Sequence, residues 1–528
     1  GLCRIRRGDT PGGLADLRMA AALEPNRALL RSYLAKALQH SGDPAGAWQQ
    51  LDLARQLDPA DPTWAFYRAL VLGDAHRFNE AIGALDQSKR LNSNRRLYRS
   101  EYRLDEDLAV RGASLARLYR KAGLAEASLA EAAQAVSADY LDASAHLFLA
   151  ESYDALRDPA RVSLRHEAAW SNEMLLANLL APVGAGIWTP AISHQEYSRL
   201  LQQDGIGLAT LTEYRSDGRL RQRAWQNGTY GTSAWAFDLD YERREGTLPN
   251  TDLDRMEWFT QLKQQVTGSD TAWALVKYGT LESGDLRQLP AGAAPDPDLR
   301  LEEDQAPVVL GGWRHQWGPD AQTLVLAGAM SAHQSVGNLA HAVPYILHLP
   351  DSRAVQTNLA GFDLRYDLPY EAWSAEGMHL HRLGPHTVVA GLRAQSGSPR
   401  GESQLANPAP PHDLFFPVGG TVISRSSDSF ARVSAFAYDY WEIGRLTLIG
   451  GVTWDNLRYP DNLRNPPLTP GTREPTRLLP KAGFIWNLDN GLTLRSIYAR
   501  SLGGVAFDDS VRLEPVQLAG FSQVQRGV

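Results

Sequence analysis

"GFIWNLDNGLTLRSIYAR", residues 483–500, reads as two extended segments joined by an Asp489-Asn490-Gly491 turn. One parity carries Phe484, Trp486 and Leu488, then Leu492 and Leu494, with Tyr498 after Ser496. The other carries Asn487, Thr493 and Arg495. A strand points successive side chains to opposite faces, so this hairpin has one apolar and one polar face. Whether the apolar face meets a protein core or lipid decides the fold.

The same period of two recurs upstream. "WAFDLDYE" (235–242) sets Trp235, Phe237, Leu239 and Tyr241 against Ala236, Asp238, Asp240 and Glu242. "RLTLIGGVTWD" (445–455) sets Leu446, Leu448, Val452 and Trp454 against Arg445, Thr447, Thr453 and Asp455. "MEWFTQLKQQV" (256–266) and "HTVVAGLRAQ" (386–395) alternate likewise, with Glu257, Gln261 and Lys263 on the polar face of the first and Arg393 and Gln395 on that of the second. These runs are about ten residues long, the length a tilted strand needs to cross a bilayer, where soluble strands average about five or six.

Connections sort by length. Tight turns fall at Thr267–Asp270, Gly318–Asp320, Gly384–Pro385, Ile443–Gly444 and Asp489–Gly491. Between them lie long Pro-, Gly- and polar-rich stretches near 280–306, 332–354, 397–427, 456–476 and from 501 onward. Alternating short and long connections are the habit of an up-and-down membrane barrel. Two extended runs, 355–367 and 371–382, break the rhythm by sharing one long loop and one short turn. The expectation is an antiparallel transmembrane barrel over 205–528, about 12 to 14 strands, unfinished at Val528.

Composition permits this. The chain has 528 residues, net charge −7 and mean hydropathy −0.33, which excludes a phosphate-neutralising nucleic-acid binder. No run of 18 or more apolar residues marks a transmembrane helix, but barrel strands average out as hydrophilic. Fourteen Trp and nineteen Tyr, concentrated after residue 160, suit aromatic girdles or a large soluble β domain. The chain starts at Gly1 without a signal peptide and is read as a fragment. Cys3, the single cysteine, is expected at a buried helix position.

The first third repeats every 34 residues: "AAALEPN" (20–26) and "ARQLDPA" (54–60) align as Ala20/Ala54, Leu23/Leu57 and Pro25/Pro59, then Ser88 and Leu91 follow. Gly8/Gly42/His76, Gly13/Ala47/Ala81 and Leu17/Leu51/Leu85 agree. After an insertion near 94–108 the pattern returns at Leu115, Ala116, Tyr119 and Gly123, then at Leu149, Ala150 and Tyr153. This resembles the tetratricopeptide repeat. Helix pairs that cannot bury their stripes alone stack into a solenoid, over 1–170, whose concave surface is expected to dock peptides or protein partners; a plain spacer is the alternative. Arg95, Arg96 and Arg99 read as a solvated face.

A helical-repeat domain ahead of an outer-membrane barrel resembles the exporters of exopolysaccharide and the surface-lipoprotein translocators. The closing stretch "SLGGVAFDDSVRLEPVQLAGFSQVQRG" (501–527), with Leu513-Glu514-Pro515 and Ala519-Gly520-Phe521, looks like a loop of barrels similar to TonB-dependent receptors. The N-terminal plug of such receptors is missing from the residues present, because the repeats run almost into the first strand and the connector 171–204 is too short to be one. The resemblance implies a Gram-negative outer-membrane protein for transport or secretion, its repeats periplasmic and docking protein partners, polysaccharide or secreted cargo. A non-conducting anchor is the first alternative and a barrel enzyme on lipid or glycan the second.

Chemistry-bearing clusters are few. "GRLRQRAW" (218–225) puts Arg219, Arg221 and Arg223 on one face, a candidate lumenal basic ladder or a set of salt bridges to Asp238 and Asp240 on the next strand. His379, His381 and, across a turn, His386 can suggest a metal, but read as interfacial polar residues. Gly503 and Gly504 open no helix, and no Gly-x-Ser-x-Gly, His-Glu-x-x-His or Cys-x-x-Cys occurs. The expectation is no catalytic, cofactor-binding or metal residue, and no cofactor.

Overall fold

The computed structural model describes residues 1–6, 9–92, 94, 101–156, 169–189, 204–287, 294–348, 354–406, 420–488, 492–502 and 512–523. The Asp489–Gly491 turn, Arg95, Arg96, Arg99, Gly503 and Gly504 lie outside them.

The helices are α1 (Leu2–Arg6), α2 (Thr10–Leu23), α3 (Ala28–His40), α4 (Pro44–Leu57), α5 (Pro62–Asp74), α6 (Phe78–Arg90), α7 (Glu101–Lys121), α8 (Ala125–Ala138), α9 (Ala143–Ala155) and α10 (Ala169–Leu180). The 34-residue spacing has a local cause. Asp9 and Asp43 each accept a hydrogen bond from a glycine amide three residues on, Gly12 at 2.9 Å and Gly46 at 2.8 Å. A proline follows in each first turn, where its missing N–H costs nothing. The turn before α4 needs a left-handed residue, Gly42 at φ 83°, and His76 takes the same station before α6 at φ 58°. Ala47, Ala54 and Ala81 are fully buried where helices close on each other, and Leu51 and Leu85 fill the stripe between. Cys3, expected inside, is exposed on α1, because Leu2 and Ile5 take that helix's inward positions.

The strands are β1 (Gly205–Tyr214), β2 (Leu220–Tyr230), β3 (Ser233–Arg244), β4 (Leu253–Gln265), β5 (Asp270–Ser283), β6 (Arg300–Gly318), β7 (Ala321–His348), β8 (Ala354–Leu383), β9 (His386–Gly397), β10 (Gly401–Ala406), β11 (Thr421–Ser426), β12 (Phe430–Ile443), β13 (Leu446–Asn462), β14 (Thr469–Arg473), β15 (Thr476–Asn487) and β16 (Thr493–Ala499). They form one antiparallel sheet, thirteen of them in a next-neighbour meander from β1 to β16, with β10, β11 and β14 as side pieces. Among the described residues β1 pairs only with β2 and β16 only with β15.

Two expectations need correction. The runs 355–367 and 371–382 are one thirty-residue strand, β8. Pro369 does not break it, because it falls between two partners on that edge: the ladder with β9 ends at Ala372 and that with β10 begins at Asp367. The long connections near 280–306, 332–354, 397–427 and 456–476 carry strand pairing well past the ends of the short strands, as β6 to β8, β10 with β11, and β14 do. Short turns stay short: Gly384 and Gly444, at φ 61° and 62°, open two-residue hairpins that only a positive φ can close.

Alternation sets the faces. On β9 Leu392 is 67% exposed while Arg393 is 1% exposed. On β15 Trp486 is 45% exposed while Ile485 is 1% exposed. The outward positions carry many exposed large apolar side chains, among them Phe237, Leu262, Val309, Val433, Val452, Trp454 and Leu478. So wide an apolar surface belongs in lipid. Tyr230, Trp317, Trp441 and Trp486 ring the short-turn end as a girdle would. The inner face carries the polar side chains expected of a lumen lining, Gln261, Lys263, Glu376, Arg393 and Thr453 among them, but mixes them with Leu275, Leu310, Leu324, Phe436, Tyr440 and Ile449, which join one buried cluster with α7 to α10.

Candidate functional site: where the helices meet the barrel

The last repeats enter the sheet's concave face from the short-turn end. α10 begins two residues before the boundary expected at 170/171, so the segment read as a connector opens with a helix packed on α9. Its C-terminal carbonyls are held by the wall. Arg314 of β6 donates to Leu180 O, and Lys263 of β4, fully buried, donates to Ala181 O at 3.3 Å and Gly186 O at 3.4 Å. Cations at a helix C-terminus satisfy its orphan carbonyls and oppose the negative end of its dipole. Asn178 fixes the chain beyond: its side chain donates to Trp188 O at 2.8 Å and accepts from Trp188 N at 2.9 Å.

α8 and the α8–α9 turn meet strands further along the sheet. Asp139 pairs with Arg382 of β8, and Gln134 donates to Asn487 of β15. The Tyr140 ring lies 5.4 Å from that of Tyr440 on β12. Behind it, His146 of α9 offers both ring nitrogens to acceptors, Nδ1 at 2.6 Å from Glu173 of α10 and Nε2 at 2.9 Å from Tyr140 O. Burial lowers its affinity for a proton, but the Glu173 charge and the two hydrogen bonds outweigh this, and the net shift is upward. Only the doubly protonated ring donates both bonds. Since its folded value is raised above about 6.5, its contribution is complete below that pH and is lost as pH rises through the raised value. Hydrogen exchange of α10 amides is therefore expected to speed up as pH rises from 6.5, beyond the intrinsic rate. His146→Gln should remove that dependence and cost about 1–3 kcal/mol. Equal pH slopes in the two proteins would exclude the latch.

The segment 512–523, expected to be an outer loop, is instead folded into the lumen: Arg512 to Gly520 are buried. Glu514 accepts hydrogen bonds from Tyr438 and Thr453, both at 2.7 Å, Arg512 at 2.6 Å, and Arg393 and Lys481, both at 3.1 Å. Glu376 of β8 accepts the backbone amides of Leu513 and Glu514, each at 2.8 Å. Arg495 of β16 donates to Ala519 O, and a Cβ on Gly520 would meet Ala133 of α8 at 3.0 Å. The segment is thus clasped between wall and solenoid, where only glycine fits at 520.

Of the arginines singled out in sequence, Arg221 and Arg223 sit on one face of β2 and Arg219 just before it, and all three meet carboxylates. Arg221 is bidentate to Asp240 at 2.6 and 3.0 Å, Arg219 lies 2.8 Å from Glu242, and Arg223 lies 3.6 Å from Asp240. Arg255 of β4 adds a fourth cation, 3.3 Å from Glu242. His379, His381 and His386 face outward: His379 lies 2.9 Å from Thr323, and His386 bonds Asp439 at 2.8 Å and stacks on Trp441. Among the described residues no three His, Cys, Asp or Glu converge as a metal site. In the solenoid a groove of about 170 Å³ between α3, α5, α7 and α9 is lined by residues that include Lys36, Tyr67, Asp74, Arg117, Lys121 and Phe148.

Sequence reasoning missed Lys263, Arg314, His146 and Glu514 as functional positions. Lys263 carried a visible signal, a lysine on the polar parity of a strand, and Glu514 lay in a quoted motif. Their partners, a helix end and a lumen wall, are distant in sequence.

Comparison with known proteins follows this geometry. Residues 193–511, more than half of the chain, match the sequence model of the family described as TonB dependent receptor-like, beta-barrel. No curated protein matches. Among solved structures, the copper transporter OprC is similar at 13% identity and TM-score 0.41, over 55% of this chain and 44% of that one. The ferripyoverdine receptor of the outer membrane of Pseudomonas aeruginosa is similar at 12% identity and TM-score 0.40, over 56% and 42%. The helical part is similar to MamA at 18% identity and TM-score 0.23, over 29% of this chain and 81% of that one. This chain spans less than half the length of either barrel protein. A tetratricopeptide-like solenoid is fused here to a β-barrel, and by its matched residues the chain belongs to the TonB dependent receptor-like β-barrel family.

Proposed function

We propose that the protein transports a solute or cargo across the Gram-negative outer membrane through a barrel that its own helical repeats stopper. In this reading the repeats over 1–170 lie in the periplasm and dock protein partners or cargo, 171–204 leads the chain into the wall, and 205–528 forms the barrel. The observation that carries it is the entry of α8 to α10 at the short-turn rim, where Lys263, Arg314 and Arg382 hold them. Short turns face the periplasm in outer-membrane barrels, which supports a periplasmic solenoid. Family membership supports transport.

A second reading is an anchor that never opens. It is favoured by the apolar inner-wall side chains that pack on α7 to α10 as a protein core would. Conductance separates the two. The protein reconstituted in a planar lipid bilayer is expected to be mostly closed and to show discrete openings when 2–4 M urea loosens the helices before the barrel. A bilayer that stays silent until the barrel itself unfolds would leave the anchor standing and sink transport.

A further inference from the structure

The Glu514 pocket holds more donor capacity than Glu514 uses. The wall supplies Arg393, Lys481, Tyr438 and Thr453, and Glu514 is 1% exposed among them. Yet Arg393, itself 1% exposed, keeps Nε and Nη1 buried without a hydrogen-bond partner among the described residues. A buried donor left unpaired costs about 1–3 kcal/mol, and Arg393 carries two of them among the described residues. Charge points the same way. Around the pocket the wall sets Arg393, Arg432 and Lys481 against Glu376 and Asp455, an excess of one cation that the segment, bringing Arg512 along with Glu514, leaves unchanged.

The segment that fills the pocket is not part of the wall. Its backbone ladder is with itself, Gln517 with Ser522 and Leu518 with Phe521. No backbone-to-backbone bond ties it to a strand of the large sheet among the described residues. Side chains hold it, chiefly through Glu514 and Glu376.

We propose that Arg393, Lys481, Tyr438 and Thr453 form a binding site for a solute bearing several anionic oxygens, polycarboxylate or phosphate, and that Glu514 occupies it as an internal competitor. This rests on the transport reading. A ligand with more oxygens than one carboxylate reaches Arg393 Nε and Nη1 as well, and thereby outbids Glu514 for the pocket. The tethered competitor acts at a high effective concentration, so it lowers the apparent affinity for the solute by the fraction of time the pocket is open.

The test uses the whole chain in detergent micelles, with Cys3→Ser and with Phe521→Cys carrying an environment-sensitive dye. Citrate, inorganic pyrophosphate, acetate and chloride are titrated at constant ionic strength. Citrate or pyrophosphate is expected to shift the dye emission at concentrations at least tenfold below acetate, and whichever acts lower identifies the carboxylate or phosphate class. Chloride is expected to do nothing. Glu514→Gln should lower the effective midpoint about tenfold by weakening the competitor, and Arg393→Lys should raise it about tenfold by removing the guanidinium fork. Equal responses to all four anions, or a midpoint unmoved or raised by Glu514→Gln, overturn the proposal. If Arg393→Lys does not fold, the Glu514→Gln midpoint decides alone. Anion binding with a bilayer that never conducts would sink transport and leave the site, whereas conduction without anion binding would do the reverse.

Discussion

Lys263→Met with Arg314→Met is expected to raise the open probability of the reconstituted protein by about a hundredfold. The two cations are the wall's hold on the C-terminus of α10, through Leu180 O, Ala181 O and Gly186 O. Hydrogen bonds from a charged donor contribute about 1.5–3 kcal/mol each. Losing both removes about 3 kcal/mol or more from the closed state, roughly two decades in population. Methionine keeps most of the apolar stem, so the wall stays packed while the carbonyls lose their partners. It also relieves the wall of a buried ammonium and guanidinium, which makes the barrel no less stable once the helix has left. The double variant should therefore keep its resistance to unfolding while conducting more. Lys263→Arg, which retains the charge, is the control and should remain closed. Single-channel recording checks this, and a double variant as silent as the parent would show that α10 is held by its apolar packing alone.

Much of this architecture was legible because local chemistry repeats along the chain. The 34-residue period reflects caps and turns that depend on near neighbours, such as Asp43 with Gly46 and Gly42 before α4. Strand faces were legible for the same reason: Leu392 and Arg393 declare opposite sides by adjacency. The extent of β7 and β8 was hidden, because Pro344 and Pro369 read as loop punctuation when the pairing that tolerates them lies on neighbouring strands. The candidate ladder of Arg219, Arg221 and Arg223 was visible, yet Glu242 as a partner was not, since register decides which acids it meets. Least legible was the packing of the helices on the sheet's inner face. Alternation says which face of a strand is turned inward but not whether water or protein fills the interior. Contacts such as Arg314 with Leu180 and Glu514 with Arg393 span more than a hundred residues of sequence.

Leu392→Arg is expected to destabilise the barrel by about 2–4 kcal/mol when it is unfolded from lipid vesicles with urea. Leu392 lies midway along β9 and faces outward, with Ala435 and Gly377 beside it on the neighbouring strands. A guanidinium there must either lose its hydration in hydrocarbon or drag water to it, and the cost depends on depth. Leu383, also outward but next to the Gly384 turn, is within reach of the interface, so Leu383→Arg should cost only about 0–1 kcal/mol. In a water-soluble protein neither change would exceed about 0.5 kcal/mol, because both side chains are already exposed. The contrast between the two positions thus reports the surroundings of the apolar face rather than its packing. Equal, small effects would mean that the face first seen at 483–500 meets water or another protein. A large effect confined to mid-strand positions places it in lipid, because only a bilayer grades the cost of one charge along the length of a strand.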